Sequence, residues 1–131
     1  MSSQKDIEII LSRQLASYLS IPTFLVDTKG DLLFYNESAE PVLGRRFEET
    51  GTLPMAEWSQ IFNLMDEERN PLPPEEAPLS IALNERCPVH KTIWLCGLDG
   101  IERLIQATCL PIIGQADRFL GAVAFFWEVE S

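Results

Sequence analysis

His90 and three cysteines are the side chains of this chain best suited to act as bases, nucleophiles or metal ligands. Nucleophilic hydrolysis requires a nucleophile, a histidine base and an acid that orients the base. The chain has no G-x-S-x-G segment, and no acid stands at an interpretable spacing from the one histidine. The sequence therefore predicts no catalytic centre, and we expect a protein that is not an enzyme.

The cysteines and the acidic residues form no metal-binding pattern. Cys87, Cys96 and Cys109 are odd in number and widely spaced, without a C-x-x-C pair, which argues against a zinc site or a disulfide framework. We interpret them as small buried apolar side chains in a reducing compartment. The acidic run 66–68 lacks the alternation and the glycine turn of a calcium loop, so it is interpreted as a solvated loop.

The charge of the chain limits the class of partner. Its 20 acidic and 10 basic residues give a net charge of −10, and the basic residues form no cluster. Such a charge repels phosphate backbones and anionic lipid, so neither nucleic acid nor a membrane is expected as a partner. No apolar run approaches the ~20 residues of a membrane span, and the first residues lack the features of a signal peptide. We expect a cytoplasmic protein that binds a small ligand or another protein.

Residues 1–20 are predicted to form an amphipathic helix, separate from a domain at 21–131. Apolar residues recur every four positions in this segment, and Pro22 ends it. An isolated helix of this length is marginal in water, so its apolar stripe must dock on another surface. We expect the stripe to form the contact of a homodimer, through Ile7, Leu11, Leu15 and Leu19.

The rest of the sequence predicts strands at both ends and helices between them. Two strands, Thr23–Val26 and Leu32–Tyr35, flank a turn, and Asn36 or Ser38 is placed to cap the helix that follows. This order is typical of an α+β fold with an antiparallel sheet. Helices are predicted at 58–65 and 78–86, and further strands at 92–98, 101–110 and 119–129.

Five segments of the chain, taken in order, resemble a PAS domain over residues 18–130. They are TFLVDTKGDLLFYN, NESAEPVLG, NPLPPEEAPLSIALNERCPV, WLCGLDGIERLIQATCLPII and GAVAFFWEVE. The resemblance implies a five-stranded antiparallel sheet with short helices on one face and a cavity between them. PAS domains often close on an Asp-Ile-Thr-like tripeptide that joins an effector, and this chain has Glu128-Val129-Glu130 there. The chain is therefore expected to act through non-covalent partners or through an effector beyond this sequence.

The resemblance implies no haem or flavin. Haem-binding PAS domains carry the proximal histidine on the helix before the third strand, whereas His90 follows Pro88 beyond that helix. Flavin-binding light-oxygen-voltage domains need a cysteine in an N-C-R-F-L-Q-like helix, and Cys87 does not stand in one. We expect a protein without a cofactor.

The resemblance also implies an apolar cavity between the helices and the sheet. Two predicted strands, at 101–110 and 119–127, carry apolar residues on both alternations. The residue pattern therefore does not decide which face of each strand points inward. The same residues could close-pack as a filled core, although the small residues at 121, 122 and 124 leave room and favour a pocket. The ligand-binding residues are predicted to be Trp58, Phe62, Met65, Leu79, Leu83, Trp94, Cys96, Ile105, Ala107, Val123 and Phe125.

Two functions are compatible with these observations. The first is a sensory or regulatory PAS domain in signal transduction, which binds a small apolar or amphipathic ligand and signals through protein association. The alternative is a protein-interaction or dimerisation module with a filled core and no ligand. Both imply a protein partner or effector and a homodimer.

Overall fold

The structure is a computed structural model that describes residues 20–129. The predicted N-terminal helix lies outside the described residues, and so does the expected dimer contact through Ile7, Leu11, Leu15 and Leu19. No helix within the described range is long and apolar enough to cross a membrane.

A single curled antiparallel sheet organises the described chain. Its spatial order is β2-β1-β6-β5-β4-β3, so the two terminal groups of strands meet where β1 pairs with β6. The strands are β1 (Thr23–Val26), β2 (Leu32–Tyr35), β3 (Asn63–Met65), β4 (Val89–Cys96), β5 (Glu102–Ile113) and β6 (Phe119–Glu128).

Short helices fill the chain between β2 and β4. The longest of them packs against β4, β5 and β6. The predicted α+β class is confirmed, with six strands where five were expected. The helices are α1 (Glu40–Leu43), α2 (Phe47–Thr50), α3 (Met55–Ile61) and α4 (Pro78–Glu85), with 3₁₀ turns at Glu37–Ala39, Pro74–Glu76 and Gln115–Asp117.

The sixth strand is β3, which lies where the sequence pattern predicted the end of a helix. Helix α3 ends at Ile61, and β3 then pairs with the edge of β4, with Leu64 opposite Leu95. The apolar spacing of three and four residues over 58–65 fits a helix. This spacing contains no information about β4, whose edge is available for pairing with this segment. Backbone pairing with that edge decides the local structure.

Asn36 joins β2 to the helical segment, as the sequence predicted. Its side-chain oxygen accepts hydrogen bonds from the backbone N–H groups of Ala39 (3.1 Å) and Thr23 (3.0 Å). Its amide donates to the carbonyl oxygen of Ile21 (2.9 Å). The residue is 1% exposed, so this one side chain satisfies three backbone groups and also ties the start of β1 to the helix cap.

Candidate functional site

A small cavity lies between the inner face of the sheet and the helices. It has a volume of about 60 Å³. Every side chain that lines it within the described part of the chain is apolar, so these residues offer no polar group to orient a charged or strongly polar ligand. The lining residues are Phe24, Leu43, Trp58, Phe62, Leu64, Ala77, Pro78, Leu79, Ile93, Leu95, Ile105, Ala107, Cys109, Ala124 and Phe126.

Strand register brings the sheet residues of the cavity together. Directly opposed residues of an antiparallel pair share a face of the sheet. Ile93 lies opposite Ile105 across β4 and β5. Ala124 lies opposite Cys109 on β5 and opposite Phe24 on β1, so it stands at the centre of three strands. The small side chain of Ala124 leaves space at that centre.

Trp58 closes the cavity from the helical side. It is 4% exposed, and its ring meets that of Phe24 edge-on, with 5.2 Å between centroids. Its indole nitrogen donates a hydrogen bond to the carbonyl oxygen of Gly30 (2.8 Å) in the β1–β2 turn. A buried tryptophan needs such a partner for its N–H. The bond fixes α3 against the hairpin that the sequence predicted.

Among the described residues that line the cavity, only Cys109 has an ionisable side chain. Burial raises the pKa of its thiol to about 12, because the surrounding apolar side chains do not solvate a thiolate. The thiol is therefore neutral at physiological pH and behaves as a small apolar side chain. The predicted burial is confirmed for Cys109, whereas Cys87 and Cys96 are only half-buried.

The volume of the cavity limits what it can hold. A space of 60 Å³ exceeds the ~10–15 Å³ needed for one water molecule, but apolar cavities stay dry and admit small apolar species such as xenon. Benzene binds in an apolar cavity of ~150 Å³, which is more than twice as large. Pockets for drug-sized ligands measure ~300–1,000 Å³. The cavity therefore fits a molecule of a few heavy atoms.

The structure brings five of the eleven predicted ligand-binding residues to the cavity, namely Trp58, Phe62, Leu79, Ile105 and Ala107. Whether they bind a ligand stays a prediction. Two others lie outside it. Met65 is half-buried in edge strand β3, opposite Trp94, and Leu83 is half-buried one turn beyond Leu79.

The other four predicted residues lie on the opposite, outer face of the sheet. Their predicted position at the cavity is wrong. In β4 and in β6 the prediction took the wrong one of the two alternating faces, and the residues next to these four face inward instead. In β4 the exposed His90 shares its alternation with the outward residues, and this polar signal was available in the sequence. In β6 both alternations are apolar, so the pattern carries no such signal. The four are Trp94, Cys96, Val123 and Phe125.

Trp94 shows how the outer face is built. Its ring is half-buried beneath the guanidinium of Arg69, which lies 4.1 Å from the ring centroid. Its indole nitrogen donates to the carbonyl oxygen of Glu67 (3.3 Å). These contacts lie at the sheet edge and have no link to the cavity.

Comparisons with known proteins agree on the fold. No family model matches the chain, and no curated protein matches it in sequence. Among solved structures, the PAS domain of a protein from Colwellia psychrerythraea has 16% sequence identity and a TM-score of 0.66, over 93% of this chain and 97% of that chain. The PAS domain of nitrogen regulation protein NR(II) from Vibrio parahaemolyticus has 16% identity and a TM-score of 0.63, over 91% of this chain and 98% of that chain. The chain has the PAS fold.

A LOV protein also shares this fold. The LOV protein of Rhodobacter sphaeroides matches with a TM-score of 0.72 and 16% identity, over 97% of this chain and 69% of that chain. The cavity of the present chain lies between the sheet and the helices of the PAS fold, which is the position that the sequence resemblance implied.

Proposed function

We propose that this chain is a sensory or regulatory PAS module that binds a small apolar molecule and signals through protein association. The observation that carries the proposal is the cavity, because its walls come from β1, β3, β4, β5, β6, α1, α3 and α4 and the described side chains that line it are apolar. Burial of an apolar molecule there would be driven by the hydrophobic effect. The proposal assigns no catalytic step to the chain.

A change at the cavity can reach the outer face of the sheet through β6. Ala124 and Phe126 line the cavity, and the residues that alternate with them lie on the outer face. Among these, Trp127 is 40% exposed. Because successive side chains of a strand point to opposite faces, a shift of β6 displaces both sets together. We therefore infer that the outer face passes the signal to a partner, or to a second copy of the chain.

The proposal places the protein in the cytoplasm. The three cysteines at 87, 96 and 109 are free thiols in the structure, and Cys109 is buried. Free thiols persist in reducing compartments, which supports this location.

Filling the cavity should abolish binding without unfolding the protein. In Ala124→Val, the added methyl groups occupy space that is otherwise empty, so we expect the free energy of unfolding to change by less than ~1 kcal/mol. Xenon should raise the melting temperature of the wild type, and this shift should be lost in the variant. Thermal unfolding followed by circular dichroism, under nitrogen and under xenon pressure, measures both effects.

Ala122→Val is the matched control. Ala122 lies two residues away on the same face of β6 and is 0% exposed, but it does not line the cavity. The same methyl groups overpack the core there, so we expect a loss of about 1–3 kcal/mol. Stabilisation by xenon should persist in this variant. Equal stabilisation of the wild type and Ala124→Val by xenon would place binding outside the cavity.

The alternative function is an association module that needs no ligand. The observation that favours it is a pair of exposed apolar side chains just beyond one end of the β1–β6 ladder. Ile21 is 46% and Trp127 is 40% exposed, and each lies two residues beyond the paired Thr23 and Phe125. Exposed apolar side chains of this size are typical of protein interfaces.

A charge placed on the exposed pair tests association. If a second copy covers Trp127, Trp127→Glu must bury an unpaired carboxylate and should weaken the homodimer at least about tenfold. Ile101→Glu is the control, because Ile101 is 52% exposed and lies in the separate β4–β5 turn. Sedimentation velocity over a series of micromolar concentrations measures the change in dimer affinity. If Trp127→Glu and Ile101→Glu have the same effect on the dimer, the exposed pair does not lie in the interface.

A further inference from the structure

A second, open cleft lies at the C-terminal end of α4, apart from the apolar cavity. Its volume is about 590 Å³, within the ~300–1,000 Å³ typical of small-molecule sites. The β1–β2 turn, the end of α4 and the start of β6 form its walls. The lining residues are Thr28, Leu83, Asn84, Arg86, Arg118, Phe119 and Leu120.

The charge of the residues that line this cleft is opposite in sign to the net charge of the chain. The chain has 20 acidic and 10 basic residues, yet the described residues that line the cleft include two arginines and no aspartate or glutamate. Asn84 and Thr28 add an amide and a hydroxyl group. Leu83, Phe119 and Leu120 supply the apolar part of the wall. The cleft therefore combines hydrogen-bond donors, positive charge and an apolar floor.

Arg86 is held in this position by two independent features. Its backbone is left-handed (φ 52°, ψ 43°) directly after α4, where glycine is the residue that adopts this conformation most readily. Its guanidinium lies over the ring of Phe119, 4.5 Å from the centroid. The stacked guanidinium keeps its N–H groups in its plane and available for a planar oxyanion.

We propose that this cleft binds a small amphipathic anion, with the oxyanion held by Arg86 and Arg118. A carboxylate or a phosphate is the chemical group that a pair of guanidiniums recognises best, because each can donate two parallel hydrogen bonds. The apolar body of the ligand then lies against Leu83, Phe119 and Leu120. The site is independent of the apolar cavity and of any ligand that the cavity holds.

Titration with three related probes tests the site. Benzoate and phenyl phosphate carry the oxyanion on an aromatic body, and benzyl alcohol keeps the body without the charge. In amide NMR spectra, we expect saturable shifts at 83–86 and 118–120 for the anions, with benzyl alcohol at least about tenfold weaker. The relative affinities of benzoate and phenyl phosphate identify which oxyanion the cleft prefers. Affinity should also fall as salt rises.

Charge-removing variants assign the binding to the two arginines. Arg86→Gln and Arg118→Gln should each weaken benzoate or phenyl phosphate at least about tenfold. Arg46→Gln is the matched control, because Arg46 is exposed, pairs with Glu49 and lies outside the cleft. If Arg86→Gln fails to fold, Arg118→Gln decides. Absence of saturable shifts, equal binding of benzyl alcohol, or an equal loss in Arg46→Gln would overturn the proposal.

Discussion

Replacing Trp58 with alanine is expected to lower the free energy of unfolding by about 3–5 kcal/mol. Trp58 is 4% exposed and packs edge-on against Phe24. The substitution removes that packing and enlarges the apolar cavity. It also removes the indole N–H that donates to the carbonyl oxygen of Gly30. Urea unfolding followed by far-UV circular dichroism measures the loss.

Trp94→Ala provides the matched comparison, because it deletes the same side chain from the outer face. Trp94 is half-buried, and its ring contacts the guanidinium of Arg69. We expect a loss of about 1 kcal/mol, which is typical of a substitution outside the core. Equal losses in Trp58→Ala and Trp94→Ala would contradict the assignment of the two faces of the sheet.

Gly121→Ala is expected to cost roughly 3 kcal/mol or more, because strain and steric overlap act at the same position. Gly121 has φ +145°, a conformation that residues with a side chain rarely adopt. A methyl group there would overlap the carbonyl oxygen of Val26, which belongs to the β1–β6 ladder at the centre of the sheet. Relief of the overlap requires the two strands to separate.

Gly100→Ala separates these two contributions. Gly100 also has positive φ (+80°), but no atom lies within 4 Å of the position that an added methyl group would take. This variant is therefore destabilised by backbone strain alone, which lowers its free energy of unfolding by about 1 kcal/mol. Denaturant midpoints of the two variants, compared with wild type, give the difference. A Gly121→Ala variant as stable as Gly100→Ala would show that β1 and β6 do not approach as closely as described.

Local chemistry explains which parts of the fold the sequence could predict. The bounds of β1 and β2 and the start of α4 follow from apolar runs punctuated by turn residues and prolines. Asn36 was one of two candidate caps, beside Ser38, because its short polar side chain directly follows a strand, and the structure selects it. Strand β3 was missed because its partner, β4, lies far away in the sequence. Local periodicity does not contain that pairing.

The candidate site was predictable only where polar residues mark one face of a strand. Strand β5 has apolar residues on both alternations, but Gln106 and Thr108 add polar residues to the outer one, and the predicted Ile105 and Ala107 do line the cavity. Strand β6 lacks such a mark, and its inward residues Ala124 and Phe126 became evident only from the register with β5 and β1. Tertiary packing, rather than alternation, selects the face there.

The arginine cleft was not foreseen for the same physical reason. Arg86 ends a helix and Arg118 precedes a strand, so no spacing in the sequence relates them. Both line one cleft because α4 packs against β6. Such a site can be recognised only once that packing is known.

Crystals of the protein under xenon pressure test the central claim most directly, because xenon enters dry apolar cavities without requiring polar contacts. The account predicts an anomalous xenon peak between Trp58, Leu79 and Ala124, and its loss in Ala124→Val crystals. An empty cavity in wild-type crystals, with xenon only on the outer face of the sheet, would contradict a ligand-binding role for this cavity.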